Sequence, residues 1–264
     1  MELRDYQKEI VRLGVNVLKK HYFVYLAMEV RTGKTLTSLS ICKTLAVSNV
    51  LFITKKKAIS SIQDDYDLLN PDFSITIINY ESLHKIDSSP YDVIICDEAH
   101  GMGAYPKPSR RAKLVKSLIT ANNNPYVILL SGTPTPESYS QMYHQVYAIP
   151  GNPFKHHKSF YKFSHEYVNI VQKKIGPTSI NDYSDGKESI LHEMKPYMIS
   201  WTQKEAGFET QITEEILTVA MHESTHNMVK KLKKERVLQG QIEVVLADTA
   251  VKLMSKIHQL YSGT

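Results

Sequence analysis

The stretch AMEVRTGKT, residues 27–35, decides how the rest of the chain is read. Gly33, Lys34 and Thr35 close a phosphate-binding loop of the form G-x-x-x-x-G-K-[ST], and Met28 stands where that pattern has its first glycine. In such a loop, successive backbone N–H groups curl around phosphate oxygens at a helix N-terminus, where the helix dipole adds attraction for negative charge. Gly33 lets the backbone approach, Lys34 reaches the β- and γ-phosphates, and Thr35 ligates Mg²⁺. Met28, Glu29, Val30, Arg31 and Thr32 would make up the remainder of the loop. Taken alone, GKT is also compatible with an ordinary helix start, so the surrounding chain has to decide.

Outward from the loop, short β-branched runs alternate with helical stretches up to about Pro150. NVLFIT (49–54), FSITIIN (73–79), YDVIICD (91–97) and YVILLSG (126–132) read as strands; residues 33–47, 58–69 and 110–121 read as helices. Continuous apolar strands separated by helices predict an α/β fold with a parallel sheet covered on both faces. Ligands bind such sheets at the carboxyl ends of the strands. After IPGNPF (149–154) the alternation stops, and a mainly helical appendage is expected, with one strand in EEILTVAM (214–221).

Composition bounds the function classes. The chain has 264 residues, enough for one full domain and an appendage when domains run to roughly 100–200 residues. No apolar run approaches the roughly 18 residues of a membrane span, so no membrane partner is expected. MELRDYQKEI lacks the apolar core of a signal peptide, and the two cysteines, Cys42 and Cys96, lie in apolar segments. These features predict a reducing, cytoplasmic setting (the host cytoplasm for a phage-encoded chain) and argue against a disulfide framework. The formal charge of +5 is spread over both halves, so a polyanionic partner must be argued from local clusters.

YDVIICDEAH delivers Asp97 and Glu98 at the carboxyl end of a buried strand. Phosphoryl transfer to water needs such a pair: Asp97 to hold Mg²⁺, and Glu98 to orient or deprotonate the water. Lys34, Asp97 and Glu98 are therefore the candidate catalytic residues, and Thr35 and Asp97 the candidate Mg²⁺ ligands.

The order LRDYQ (3–7), RTGKT (31–35), DEAH (97–100) and SGTP (131–134) resembles the first RecA-like lobe of superfamily-two helicases. LHEMKPYMISWTQKEAG (191–207) with ITEEILTVAMHESTHNMVKKL (212–232) is similar to the inter-lobe segment of Swi/Snf-type DNA-dependent ATPases, especially short phage and bacterial forms. The resemblance implies a RecA-like ATP-binding lobe over 1–150, a helical inter-lobe segment over 151–211, and the start of a second lobe or its linker over 212–264. It also implies ATP and Mg²⁺ as cofactors. Gln7 would read the adenine edge, its amide offering one donor and one acceptor. Arg4 either braces that pocket or forms an exposed salt bridge. His100, Ser131 and Thr133 would couple nucleotide state to movement.

Nucleic acid, DNA in preference to RNA, is the implied partner, and the DNA preference rests on the tail resemblance. Between Glu98 and Glu137 there is no acidic residue, while Lys107, Arg110, Arg111, Lys113 and Lys116 fall in that window. Basic clusters near a motor site meet phosphates; each residue singly is equally a solvated helix face. TKKK (54–57, with Lys55 and Lys56) and NYES (79–82, with Tyr80) match the family's backbone-contacting positions.

Two other readings stand beside the motor. One is a non-catalytic nucleic-acid-binding regulatory module. The other is a zinc metallopeptidase through HESTH (222–226), since H-E-x-x-H can place two histidines on one Zn²⁺ with the glutamate as base. Ser224 and Thr225 fill its middle, NMVKKLKKER follows it, and His156, His157 and His192 have no matching third-ligand spacing. Superfamily-two motors also use an arginine from a second lobe, and after Arg111 the only arginine is Arg236. The chain is therefore expected to need a second RecA-like lobe, in cis or in trans, and to turn over slowly without it. Arg31 occupies a position where the family commonly has glycine, either adding a phosphate contact or folding into the empty loop.

Overall fold

The computed structural model describes residues 2–86, 90–175, 178–208, 215, 218–240, 244–247 and 250–263. The chain divides into two compact units, residues 1–209 and 210–264.

In the first unit, α1 (Asp5–His21) leads into β1 (Phe23–Met28), followed by α2 (Lys34–Leu45), β2 (Asn49–Thr54), α3 (Ile59–Leu69) and β3 (Ser74–Asn79). Next come β4 (Val93–Cys96), α4 (Arg110–Ala121), β5 (Tyr126–Leu130), α5 (Met142–Val146) and α6 (Phe160–Tyr167). The unit closes with β6 (Val171–Ile175), β7 (Thr178–Asp182), α7 (Ser189–Met194) and β8 (Met198–Trp201). Six strands form one sheet in the order β3-β2-β4-β5-β1-β8, and every pairing in it is parallel. This is the α/β, RecA-like arrangement expected from the alternation of strands and helices.

Strand pleating explains the two-sided core. Successive side chains point to opposite faces, so Phe23 and Tyr25 enter one cluster while Val24, Leu26 and Met28 enter the other. Leu51 and Ile53 alternate with Val50 and Phe52 in the same way, as do Ile94 and Cys96 with Val93 and Ile95. On one face, α1 buries Ile10, Val11, Val15 and Leu18, a spacing that defines one side of a helix. Helices α2 and α3 extend that layer. The other face is covered by α4, α5, α6 and α7. At roughly 1.5–3 kcal/mol for each fully buried Leu, Ile or Phe, these layers hold the strand ends in fixed positions.

Residues 151–208 do not behave as a separate helical body. Phe160, Phe163, Ile190 and Met194 complete the first unit's core, and β8 joins the main sheet beside β1. Strands β6 and β7 form an antiparallel hairpin, tied by the Lys173–Asp182 ion pair. The hairpin is polar and exposed, so no apolar period marks it in the sequence. Of the strand expected in residues 214–221, positions 214, 216 and 217 lie outside the described residues, and 215 and 218–221 are in no strand.

The second unit holds α8 (Glu223–Glu235), the antiparallel pair β9 (Val237–Gln239) and β10 (Val244–Leu246), and α9 (Ala250–Ser262). Among the described residues, no helix is long and apolar enough to cross a membrane.

Candidate nucleotide site

Five neighbouring strands, in sheet order β2-β4-β5-β1-β8, deliver the candidate residues at their carboxyl ends. The phosphate loop follows β1 and runs into α2, with Gly33 at the N-cap in the left-handed conformation, φ +77°. That conformation favours glycine, and so does the space. A Cβ at Gly33 would sit 2.3 Å from Gln7 Nε2. Gln7 is buried, and its Oε1 accepts the backbone N–H of Arg4 at 3.0 Å, which fixes the amide against the loop.

The loop is also tied internally. Thr32 is fully buried and donates its hydroxyl to Glu29 O at 2.7 Å, while Tyr6 donates to Thr32 O at 3.0 Å. Lys34 donates to Met28 O at 2.9 Å and to Glu29 O at 3.1 Å. Burial lowers its pKa, against the opposing pull of Asp97 and Glu98. The Lys34 ammonium thus occupies the loop's own carbonyls and lies within electrostatic reach of the acidic pair. Arg31 does not fold into the loop. It is exposed at φ +66°, and its guanidinium has no hydrogen-bond or ion-pair partner among the described residues.

At the end of β4, Asp97 Oδ2 accepts from Thr54 Oγ1 at 2.7 Å, and Asp97 O accepts from Tyr80 OH at 2.7 Å. Burial raises the Asp97 pKa, with the Thr54 hydrogen bond opposing it. Glu98 adopts the left-handed region, φ +51°, an uncommon conformation for a non-glycine residue. Its Oε1 meets Lys55 Nζ at 3.1 Å and its Oε2 lies 3.4 Å from His100 Nδ1. His100 Nδ1 is 2.9 Å from Ser131 Oγ, which also accepts the Thr133 backbone N–H at 3.1 Å. A continuous polar chain therefore links Lys55, Glu98, His100, Ser131 and Thr133.

Residues that tolerate this geometry fit a triphosphate and its Mg²⁺. Gly33 leaves a cradle that a Cβ would fill. Thr35 at the start of α2 and Asp97 supply the oxygen donors that a hard divalent cation takes.

A family model described as the SNF2-related domain matches residues 48–261, and one described as the type III restriction enzyme, res subunit, matches residues 1–71. The chain belongs to the SNF2-related domain family. It is a lobe of the superfamily-two, helicase-type ATPases. A solved structure, the Hef helicase domain of Pyrococcus furiosus, is 16% identical over 56% of this chain, with a TM-score of 0.45. The match covers 36% of that chain, so this chain spans about a third of it. No curated protein matches.

Several residues of the SNF2-related lobe sit where the sequence alone did not put them. Tyr80, expected on nucleic acid, is 1% exposed; its hydroxyl holds Asp97 and its ring lies inside the core. A side chain so placed cannot lie along a phosphate backbone. Arg111 stacks on that ring, 5.1 Å from its centroid, and pairs with Glu81 at 2.5 Å. Hydrogen bonds from Asn79 and Arg111 hold the Glu81 carboxyl down at about 2. Lys55 is on Glu98, whereas Lys56, Lys107 and Arg110 are exposed. Lys113 is exposed too, and Lys116 lies 4.9 Å over the Tyr147 ring. Arg4 rests over Phe208 at 5.3 Å and makes no ion pair among the described residues.

The strand β8 edge carries residues that contact the phosphate loop and were not singled out in the sequence. Trp201 stacks on Tyr6, with ring centroids 5.8 Å apart, and its carbonyl accepts Glu29 N–H at 2.9 Å. Gln203 donates its backbone N–H to Glu29 Oε2 at 2.8 Å and its side chain to Val30 O at 2.9 Å. All four lay within quoted stretches, Tyr6 in LRDYQ, Thr54 in TKKK, and Trp201 and Gln203 in LHEMKPYMISWTQKEAG, and none was singled out.

In the second unit, His222 is the N-cap of α8. Its Nδ1 accepts from Ser224 N–H at 3.3 Å and lies 2.7 Å from Ser224 Oγ. His226 packs edge-on against Tyr261. Among the described residues, no group of three His, Cys, Asp or Glu side chains could hold a metal ion.

Proposed function

We propose that the first unit binds Mg·ATP and hydrolyses it in response to nucleic acid, driving movement on duplex DNA. The phosphate loop after β1 and the Asp97–Glu98 turn after β4 lie at the carboxyl ends of strands in one parallel sheet, and this supports the reading because it puts a phosphate-binding cation and a water-activating carboxylate on one edge. The loop amides and Lys34 hold the phosphates, and the Gln7 amide reads adenine. Thr35 and Asp97 hold Mg²⁺, which neutralises phosphate charge when bound. Glu98 orients the water and takes its proton. His100, Ser131 and Thr133 relay the state of that carboxylate to the neighbouring loop.

Lys56, Lys107 and Arg110 supply exposed cations for backbone phosphate, a salt-dependent and largely sequence-blind mode of binding. Arg111 is already paired with Glu81, and Arg31 is the loop's sole arginine. Full turnover therefore needs a second RecA-like lobe to present an arginine to the transferring phosphate, an effect worth on the order of 10³–10⁵ in rate. The free, buried thiols Cys42 and Cys96 suit a reducing cytoplasm.

Trp201 is the single tryptophan and stacks on Tyr6, which bonds the phosphate loop, so its fluorescence reports nucleotide entry. Titration with ATP should change that emission, and Lys34→Ala should abolish the change. ATPase assays with no nucleic acid, single-stranded DNA, duplex DNA and RNA then identify the effector. An ATPase rate indifferent to all of them, in wild type supplied with its second lobe, would overturn the motor reading.

A further inference from the structure

We propose that Lys55 is a positioning residue shared between the catalytic carboxylate and nucleic-acid phosphate, so that phosphate binding releases Glu98 for catalysis. This rests on the nucleotide-site reading above. The observation is one of register. Strands β2 and β4 are paired, and the hydrogen bond from Thr54 to Asp97 aligns their ends, placing the next residues, Lys55 and Glu98, side by side.

Lys55 Nζ then meets Glu98 Oε1 at 3.1 Å, with His100 3.4 Å from the other carboxylate oxygen. One carboxylate oxygen is thus engaged by a cation and the other lies beside a histidine, so neither is open to a water. The pair is not locked in place. Its side chains are 48% and 34% exposed, and ion pairs this open are weak and exchangeable.

The two partners differ in freedom. Glu98 is fixed by its left-handed backbone and the His100–Ser131 contacts, whereas Lys55 is a compact charge on a flexible stem. Lys55 begins a short turn, Lys56–Ala58, in which Lys56 and Lys57 are exposed and have no ion-pair partner among the described residues. A phosphate drawn to that turn by Lys56 and Lys57 meets Lys55 as its third cation. The ammonium moves to the phosphate, and Glu98 is left to the water. Thermodynamic linkage makes the coupling reciprocal: anything that frees Lys55 from Glu98 must tighten nucleic-acid binding.

The test is a double-mutant cycle read by binding, without nucleotide and without turnover. The full chain's affinity for a duplex DNA oligonucleotide is measured for wild type, Glu98→Gln, Lys55→Met and the double variant. Glu98→Gln should tighten binding by about two- to fivefold, the strength of a half-exposed ion pair. The gain should vanish in the Lys55→Met background and persist in a Lys56→Met background. Equal tightening with and without Lys55 would mean that only general charge had changed, and would overturn the proposal, as would no tightening at all. Lys55→Gln serves as a second variant against a folding artefact. If wild type binds neither duplex DNA nor RNA, the nucleic-acid reading itself fails, and this inference fails with it.

Discussion

The phosphate loop and the Asp97–His100 turn are built alike and secured differently. Each follows a largely buried strand and contains a non-glycine residue in the left-handed region, Arg31 in one and Glu98 in the other. In the phosphate loop the key cation, Lys34, rests on backbone carbonyls that a phosphate can replace as its partners. In the acidic turn the carboxylates are held by Thr54, Lys55 and, through His100, Ser131, while Tyr80 holds the Asp97 backbone carbonyl. One loop is thus arranged to accept a ligand and the other to hold chemistry in place. The difference teaches that binding and catalysis should separate under mutation.

The largest expected effect tests that separation. Glu98→Gln should lower nucleic-acid-stimulated kcat by about 10²–10⁴, the range for loss of a general base, while leaving ATP affinity near wild type. Lys34→Ala should lose both, because its contacts lie on the binding side. Steady-state kinetics combined with Trp201 fluorescence titration distinguishes the two patterns. Parallel loss of affinity in Glu98→Gln would break the comparison.

A smaller effect sharpens it. Thr54→Val removes the hydroxyl that favours ionised Asp97, so the Asp97 pKa, already raised by burial, should rise further. The sign follows: a higher pH is needed to ionise Asp97, and the midpoint of Mg²⁺-dependent ATP binding should move upward. Losing one hydrogen bond to a charged group predicts a penalty of about 1.5–3 kcal/mol in that binding, roughly ten- to a hundredfold. A midpoint that stayed put would show that Thr54 does not set the carboxylate's charge.

Stability supplies the next test. Because burial lifts the Asp97 pKa above its ordinary 3.8, the folded protein holds that proton more tightly than the unfolded chain. Stability therefore falls as pH rises from near 3.8 through the raised folded value, and the full penalty remains above it. Asp97→Asn should remove this contribution to the pH dependence and, by taking away a buried charge, stabilise the ligand-free protein by about 1 kcal/mol, the size of a common stabilising substitution. Thermal unfolding at pH 7 would show a Tm rise of roughly 2–4 °C. An unchanged or lower Tm would mean that the Thr54 hydrogen bond already offsets the cost of burial.

Legibility followed burial only in part: β3 was readable from its β-branched run although none of its six residues is buried, and β1, with five of six buried, was not read as a strand. Strands β2, β4 and β5 were readable because both faces are covered, which leaves nearly unbroken apolar runs such as VIIC and YVILL. Strand β8, at the sheet edge, has only one fully buried residue in MISW and gives no such signal. The site behaved the same way. Gly33, Lys34, Asp97 and Glu98 are tied to backbone geometry that recurs as a motif. Tyr80 instead looked like a surface residue after a strand, because its burial depends on Arg111 and the core beneath α4, which are distant in sequence. Gln203 reaches the phosphate loop from 173 positions away, and no local pattern encodes that contact.

The smallest effect concerns Arg31, the one cation of the phosphate loop that the loop does not use. Its left-handed backbone costs about 1–2 kcal/mol relative to glycine, whereas glycine adds roughly 0.5–1 kcal/mol of unfolded-state entropy. Arg31→Gly should therefore leave Tm unchanged or raise it by roughly 2–4 °C at most. Its free guanidinium remains able to swing onto a bound phosphate, an exposed charge contact worth about 0.2–1 kcal/mol. ATP should then bind up to about fivefold more weakly to Arg31→Gly, and Arg31→Lys, which keeps the charge, should recover most of the loss. If all three proteins share one dissociation constant, Arg31 is a solvated loop residue, and phosphate recognition belongs to Lys34 and the loop amides alone.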